Sequence, residues 1–159
     1  MVKVRFELDP DTADGHGSET LWAEPIGQGR YRLRNSPFYA REVSAEDVVF
    51  ADPVEGSDGT SESGNAPLLF QGVSIRGGHS TYRLLRNANV TDADFQKAWA
   101  PLRKEGCTYE EAHPSFFAID VPANADIYQV YSLLERGASV GIWTFEEGHC
   151  GHPLRSSSA

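Results

Sequence analysis

Arg76-Gly-Gly-His-Ser-Thr-Tyr-Arg-Leu-Leu-Arg86 decides how this chain folds, because it closes one pattern of strands and opens another. Gly77 and Gly78 give the backbone freedom for a crossing between halves. Residues 80–85 then read as a strand with Tyr82 and Leu84 on one face. Gly77-Gly-His-Ser80 also reads as a backbone nest for an anion, with His79 and Arg83 beside it. A phosphate loop precedes a helix, whereas this run precedes a strand, so the hinge is the better reading.

Downstream, Thr91 opens a helix in a capping-box-like pairing with Asp94, and Phe95, Trp99 and Leu102 recur at helical spacing. Pro101 is expected to break or kink its second half, and Gly106 to cap it. Residues 107–111 and 115–121 read as strands around the turn His113-Pro114. Asn124 is expected to cap a second helix, with Ile127, Val130, Tyr131 and Leu134 on one face and Gly137 as its stop. Residues 142–147 form the last strand, with Trp143 and Phe145 on one side. The order is β-α-β-β-α-β. Two right-handed crossovers in that order predict a ferredoxin-like unit over 77–150, with residues 80–85 as an interior strand. Cys107 and Cys150 then fall on opposite edges of the sheet, ~14 Å apart, too far for a disulfide.

Upstream, Val2, Val4, Phe6 and Leu8 alternate with Lys3, Arg5 and Glu7, the signature of a half-buried strand. Residues 20–25 and 30–34 flank Ile26-Gly-Gln-Gly29 as a hairpin, with Tyr31 and Leu33 inward and Arg30, Arg32 and Arg34 outward. Phe38-Tyr-Ala-Arg41 reads as extended, 48–51 and 68–75 as strands, and 52–67 as a mobile acidic loop. The fold class is therefore α+β: a small β-barrel or rolled sheet over 1–76, the ferredoxin-like half over 77–150, and a disordered tail over 151–159. Trp22, Phe38, Tyr39 and Tyr82 are assigned to the core, some of them lining the groove between halves.

The 159 residues suffice for a real core, and no apolar run approaches the length of a membrane span. The first residues lack the apolar core of a signal peptide, which makes a cytoplasmic protein the expectation. A net charge of −9, from 23 acidic and 14 basic residues, opposes nucleic-acid binding and favours a basic protein or a small ligand as partner.

Several constellations invite chemistry and mostly fail on geometry. His149-Cys-Gly-His152 offers three soft ligands, but a structural zinc site wants separated pairs, so a strand end is the simpler reading and no metal or other cofactor is assigned. Cys107 and His113 lie ~20 Å apart along a strand, out of reach as a nucleophile–base pair. Glu146 and Glu147 point to opposite faces, which spoils them as an acid/base couple. The Arg30, Arg32, Arg34 stripe reads as a solvated face paired with Glu24 or Glu19.

The blocks Glu19-Thr-Leu-Trp-Ala-Glu-Pro25, Asn35-Ser-Pro-Phe-Tyr-Ala-Arg41, Asp47-Val-Val49, Gly78-His-Ser-Thr-Tyr-Arg83 and Glu146-Glu-Gly-His-Cys150 resemble a family of short, mainly actinobacterial proteins known only as a domain of unknown function. The resemblance spans residues 2–150 and implies a bacterial, cytoplasmic protein; it carries no catalytic residue over. Two functions remain as expectations. The first is a non-enzymatic acidic interaction module, an inhibitor or immunity-type protein that binds a basic protein. The second is a small-ligand-binding protein or small enzyme with a pocket between the halves, lined by Arg41, His79, Tyr82 and Arg83.

Overall fold

Alternation in the first residues does what its pattern predicts: Val4 and Phe6 of β1 (Val2–Glu7) turn inward and are buried. They meet Leu21 and Ala23 of β2 (Ser18–Gly27), Leu33 of β3 (Arg30–Leu33) and Val49 and Ala51 of β4 (Val48–Pro53) in one apolar cluster. β5 (Leu68–Ile75) completes the wall, and its parallel pairing with β1 closes the barrel in the order β1-β2-β3-β4-β5. The computed structural model describes residues 1–53 and 66–154. Most of the acidic segment expected to be mobile lies outside the described residues, but Asp52 and Pro53 are already paired with Leu69 and Leu68 in the β4–β5 ladder. Gln28 and Gly29 both take positive φ, the backbone that a two-residue hairpin turn between β2 and β3 requires.

The second half is built on β6 (Ser80–Arg86), β7 (Thr108–His113), β8 (Phe116–Val121) and β9 (Trp143–His149), antiparallel throughout in the order β7-β8-β6-β9. Helices α1 (Asp92–Lys104) and α2 (Ile127–Ser139) cover one face, since Phe95, Trp99, Leu102, Ile127, Val130 and Leu134 share a cluster with Tyr82, Leu84, Phe117, Ile119 and Trp143. Thr81, Arg83 and Leu85 alternate with Tyr82 and Leu84 and so face away from the helices, toward the barrel half.

Five local expectations are corrected. α1 runs through Pro101 to Lys104, because a proline removes only its own donor, and at the C-cap the Glu105 N–H reaches the carbonyls of Pro101 and Leu102. The cap of α2 is Asp126 rather than Asn124; its carboxylate accepts from the N–H groups of Tyr128 and Gln129 at 3.0 and 3.3 Å. Gly137 does not end α2 but lies within it, where any side chain would collide with the indole of Trp143. Residues 38–41 are not extended in a strand, because their backbone groups bond to side chains. Trp22, also assigned to the core, points outward at 45% exposure beneath the Lys3 ammonium.

The hinge is pinned on the barrel side by Asp47, a buried carboxylate that accepts from the N–H groups of Ser44 and Gly77 and from Arg76 at 2.8–3.1 Å. At the other end, Gly151 and His152, expected to belong to a disordered tail over 151–159, are bonded into the fold, and residues 155–159 lie outside the described residues. The Gly151 N–H donates to Ser80 Oγ at 3.0 Å; because His152 Nε2 faces a carbonyl and must carry the ring proton, the Ser80 hydroxyl donates to His152 Nδ1 at 2.6 Å. His152 Nε2–H in turn donates to the Pro122 carbonyl at 2.8 Å, all in buried surroundings. Among the described residues, no helix is long and apolar enough to cross a membrane. Replacing Ser80 with Ala leaves Gly151 N–H and His152 Nδ1 without partners. The expected loss is about 1–3 kcal/mol, read as a lower urea midpoint at unchanged slope.

Candidate functional site

The helix-free face of the sheet meets the barrel half through one irregular segment, and two charged side chains hold that segment from opposite sides. Glu19, near the start of β2, accepts from the N–H groups of Phe38, Tyr39 and Ala40 at 2.6, 3.0 and 2.8 Å. Arg83, from the interior strand β6, donates through Nε to the Phe38 carbonyl and through Nη2 to the Ala40 carbonyl, the latter at 2.9 Å. A carboxylate on the amides and a guanidinium on the carbonyls replace the neighbouring strand that this backbone lacks. Beside them the Ser44 and Thr81 hydroxyls share a hydrogen bond of 2.6 Å.

Next to this joint lies a cavity of about 310 Å³. Arg83 and Leu85 of β6, Phe116 of β8, and Thr144 and Glu146 of β9 form its sheet side. Thr12 and Asp14 from the loop after β1, with Tyr39 and Arg41 from the irregular segment, form the other. The Arg83 side chain is 6% exposed, and its Nη1 is buried without a hydrogen-bond partner. The nearest anion is Glu146, whose carboxylate stands 3.9 Å from Arg83 Nη1 and 4.0 Å from Arg41 Nη2, too far to hydrogen-bond either. Burial draws the Arg83 pKa down, as does the Arg41 charge, while Glu146 and Glu19 oppose the shift. Burial, then the charges of Asp14 and Glu19, raise the Tyr39 phenol, so it stays protonated and able to donate.

Of the four residues expected to line a pocket between the halves, Arg41 and Arg83 come together and two do not. His79 turns to Asp120, with Nδ1 2.9 Å from its carboxylate, and borders a separate cleft with Arg30, Arg32 and Arg76. Tyr82 lies on the opposite face of β6, buried among the helices, where burial pushes its phenol far up. Strand alternation forbids Tyr82 and Arg83 from sharing one pocket, and that signal was present in the sequence. Glu146 and Thr144 could have been found in the same way, from the pairing of Glu146 with Arg83 and of Thr144 with Leu85. Thr12 and Asp14 had no such signal, because a loop residue's neighbours are set by the whole fold.

The remaining candidates are structural. Arg34 binds Glu46 at 3.0 Å, with Arg32 4.0 Å from the same carboxylate. Among the described residues, no three His, Cys, Asp or Glu side chains gather as metal ligands. Cys107 and Cys150 are free thiols.

A family described as "Domain of unknown function (DUF4265)" has a sequence pattern that matches residues 19–145. The chain belongs to that family. The DUF4265 match opens at Glu19, which holds the irregular segment, and takes in Arg41, Arg83 and Phe116 of the cavity wall. No curated protein matches the chain. A crystal structure described as that of a hypothetical protein from Neisseria gonorrhoeae is similar over 96% of this chain and 96% of that one, with a TM-score of 0.73. At 14% identity the likeness shows the fold alone.

Two outcomes test this geometry. Changing Arg83 to Met strips the Phe38 and Ala40 carbonyls of a charged donor and is expected to cost about 1.5–3 kcal/mol in denaturant unfolding. Hydrogen exchange at the Phe38–Ala40 amides is expected to accelerate when Glu19 becomes Gln. Burial pushes the Cys107 thiol up to about 12, so it stays protonated at pH 8. Iodoacetamide at that pH is expected to spare Cys107 in the native protein and to label it in urea, as read by mass spectrometry.

Proposed function

We propose that this protein is a small-ligand-binding module, and that its ligand places an anionic head, of the carboxylate class, between Arg41 and Arg83. The supporting observation is the unpartnered, buried Nη1 of Arg83, a residue that lines the cavity. A buried donor without a partner costs roughly 1–3 kcal/mol, and folded proteins keep few of them. Two nitrogens of this guanidinium serve the fold; the third is free for an occupant. Glu146, 59% exposed and beyond hydrogen-bonding distance, is loosely held and able to yield its place to an incoming carboxylate. Phe116, Leu85 and the Tyr39 ring offer apolar surface for the rest of the ligand. The volume is at the lower end of the range of about 300–1,000 Å³ typical of ligand pockets, and junctions between halves are common places for them.

In this reading the second half is a ferredoxin-like unit whose helix-free face is covered by the barrel, with the site at the covered edge. The other expectation, an acidic surface that binds a basic protein, keeps the support of the net charge of −9. The cavity is the more specific observation, and it favours the ligand-binding reading.

A thermal-shift screen of small carboxylates against the full chain tests the proposal. A ligand at a hundred times its Kd is expected to raise the Tm by roughly 5–10 °C. Arg41, whose side chain is 53% exposed, can be replaced by Ala without disturbing a core; that variant is expected to keep its ligand-free Tm and lose the shift. A wild-type Tm unmoved by every carboxylate in the screen overturns the reading.

A further inference from the structure

The geometry points to a zwitterion as the ligand of the junction cavity: a free amino acid with an apolar side chain, its carboxylate on Arg41 and Arg83 and its ammonium on Asp14 and Glu146. This rests on the ligand-binding reading above and narrows it to a chemical class.

Charge balance around the cavity makes the argument. The lining contains two guanidiniums, Arg41 and Arg83, and two carboxylates, Asp14 and Glu146. A simple anion would gain from the first pair and suffer from the second, and a dianion such as a phosphate monoester would suffer twice over. A cation meets the reverse difficulty. A ligand carrying one charge of each sign is complementary to all four groups. The two signs are also differently placed. Arg83 is fixed in the interior strand β6 by its bonds to the Phe38 and Ala40 carbonyls, so the carboxylate end has a rigid anchor. Asp14 is exposed, belongs to the loop after β1, and makes no ion pair or hydrogen bond with the described residues. Its carboxylate is thus uncommitted on the barrel side of the cavity.

Glu146 completes the picture. It stands nearly equidistant from the two guanidiniums in the empty site, holding the region between them without bonding to either. When a ligand carboxylate takes up the free Nη1, that electrostatic role ends and Glu146 is left beside the ligand's ammonium. The apolar remainder meets the Phe116 ring, which is braced by the rings of Phe38 and Tyr39 at centroid distances of 5.8 and 5.5 Å. Leu85, half exposed on the same sheet face, extends it. Thr12, Thr144 and the neutral Tyr39 phenol supply donors and acceptors around the polar end.

Matched ligand trios test the assignment by isothermal titration calorimetry on the full chain. Leucine is compared with 4-methylpentanoate, which lacks the amine, and with isopentylamine, which lacks the carboxylate; phenylalanine is compared with 3-phenylpropanoate and 2-phenylethylamine. At least one amino acid is expected to bind tenfold or more tightly than its des-amino partner, with no binding of the amine. Changing Asp14 to Asn is expected to bring that ratio down toward one by weakening the amino acid alone. If the des-amino acids bind as tightly as the amino acids, the zwitterion assignment is overturned while carboxylate binding stands. If no compound in either trio binds, but the carboxylate screen above finds a ligand, the amino-acid class is again overturned. If neither finds one, the ligand-binding reading falls and takes this inference with it.

Discussion

The Arg83 guanidinium is the central charged link between the two halves of this protein, and the site depends on how its donors are divided. Each half has its own apolar cluster, one inside the barrel and one between sheet and helices. What lies between them is largely polar: the Arg83 bonds to the irregular segment, the Ser44–Thr81 hydroxyl pair, and the Asp47 carboxylate that grips the hinge at Gly77. Burying a cation in such a joint is unfavourable unless its hydrogens are bonded, and carbonyl dipoles held in place by Glu19 on the amide side do much of that work. A lysine could not replace it, because only the planar fork of arginine reaches two carbonyls in fixed directions.

The position of Arg83 follows from topology. A β-α-β-β-α-β order makes β6 an interior strand, so its side chains are buried on both faces of the sheet: Tyr82 and Leu84 among the helices, Thr81 and Arg83 against the barrel half. A polar residue on an interior strand is unusual. Here it marks the face that receives a second structural unit instead of helices or water.

The strand and helix pattern was readable from the residues because it rests on short periods. Val2, Val4 and Phe6 declare a strand, and Phe95, Trp99 and Leu102 a helix, with no knowledge of what they touch. Several of the failures come from a partner that the local pattern does not show. Gly137 looks like a helix stop until Trp143 is seen to need its space. Residues 38–41 look extended until Glu19 and Arg83 claim their backbone groups. Asn124 and Asp126 are equally good caps locally, and the packing of Ile127 chooses between them. His152 looks like part of a tail until Ser80 and Pro122 hold both its ring nitrogens. The candidate site divided along the same line. Arg41 and Arg83 follow from the groove expected between the halves, whereas Asp14 and Phe116 enter the cavity only through the docking of the halves.

The division of the Arg83 donors couples that docking to whatever occupies the cavity. Nε and Nη2 bind the segment that carries Tyr39 and Arg41, so the bonds that assemble the joint also place the second cation of the site. In the proposed reading, an occupant on Nη1 would satisfy the Arg83 nitrogen that the fold leaves without a partner, and it could do so only when the halves are joined. Binding to the assembled form alone must stabilise that form by mass action. Under the proposed ligand-binding reading, occupancy would strengthen the joint, and that thermodynamic link would need no change of shape in either half.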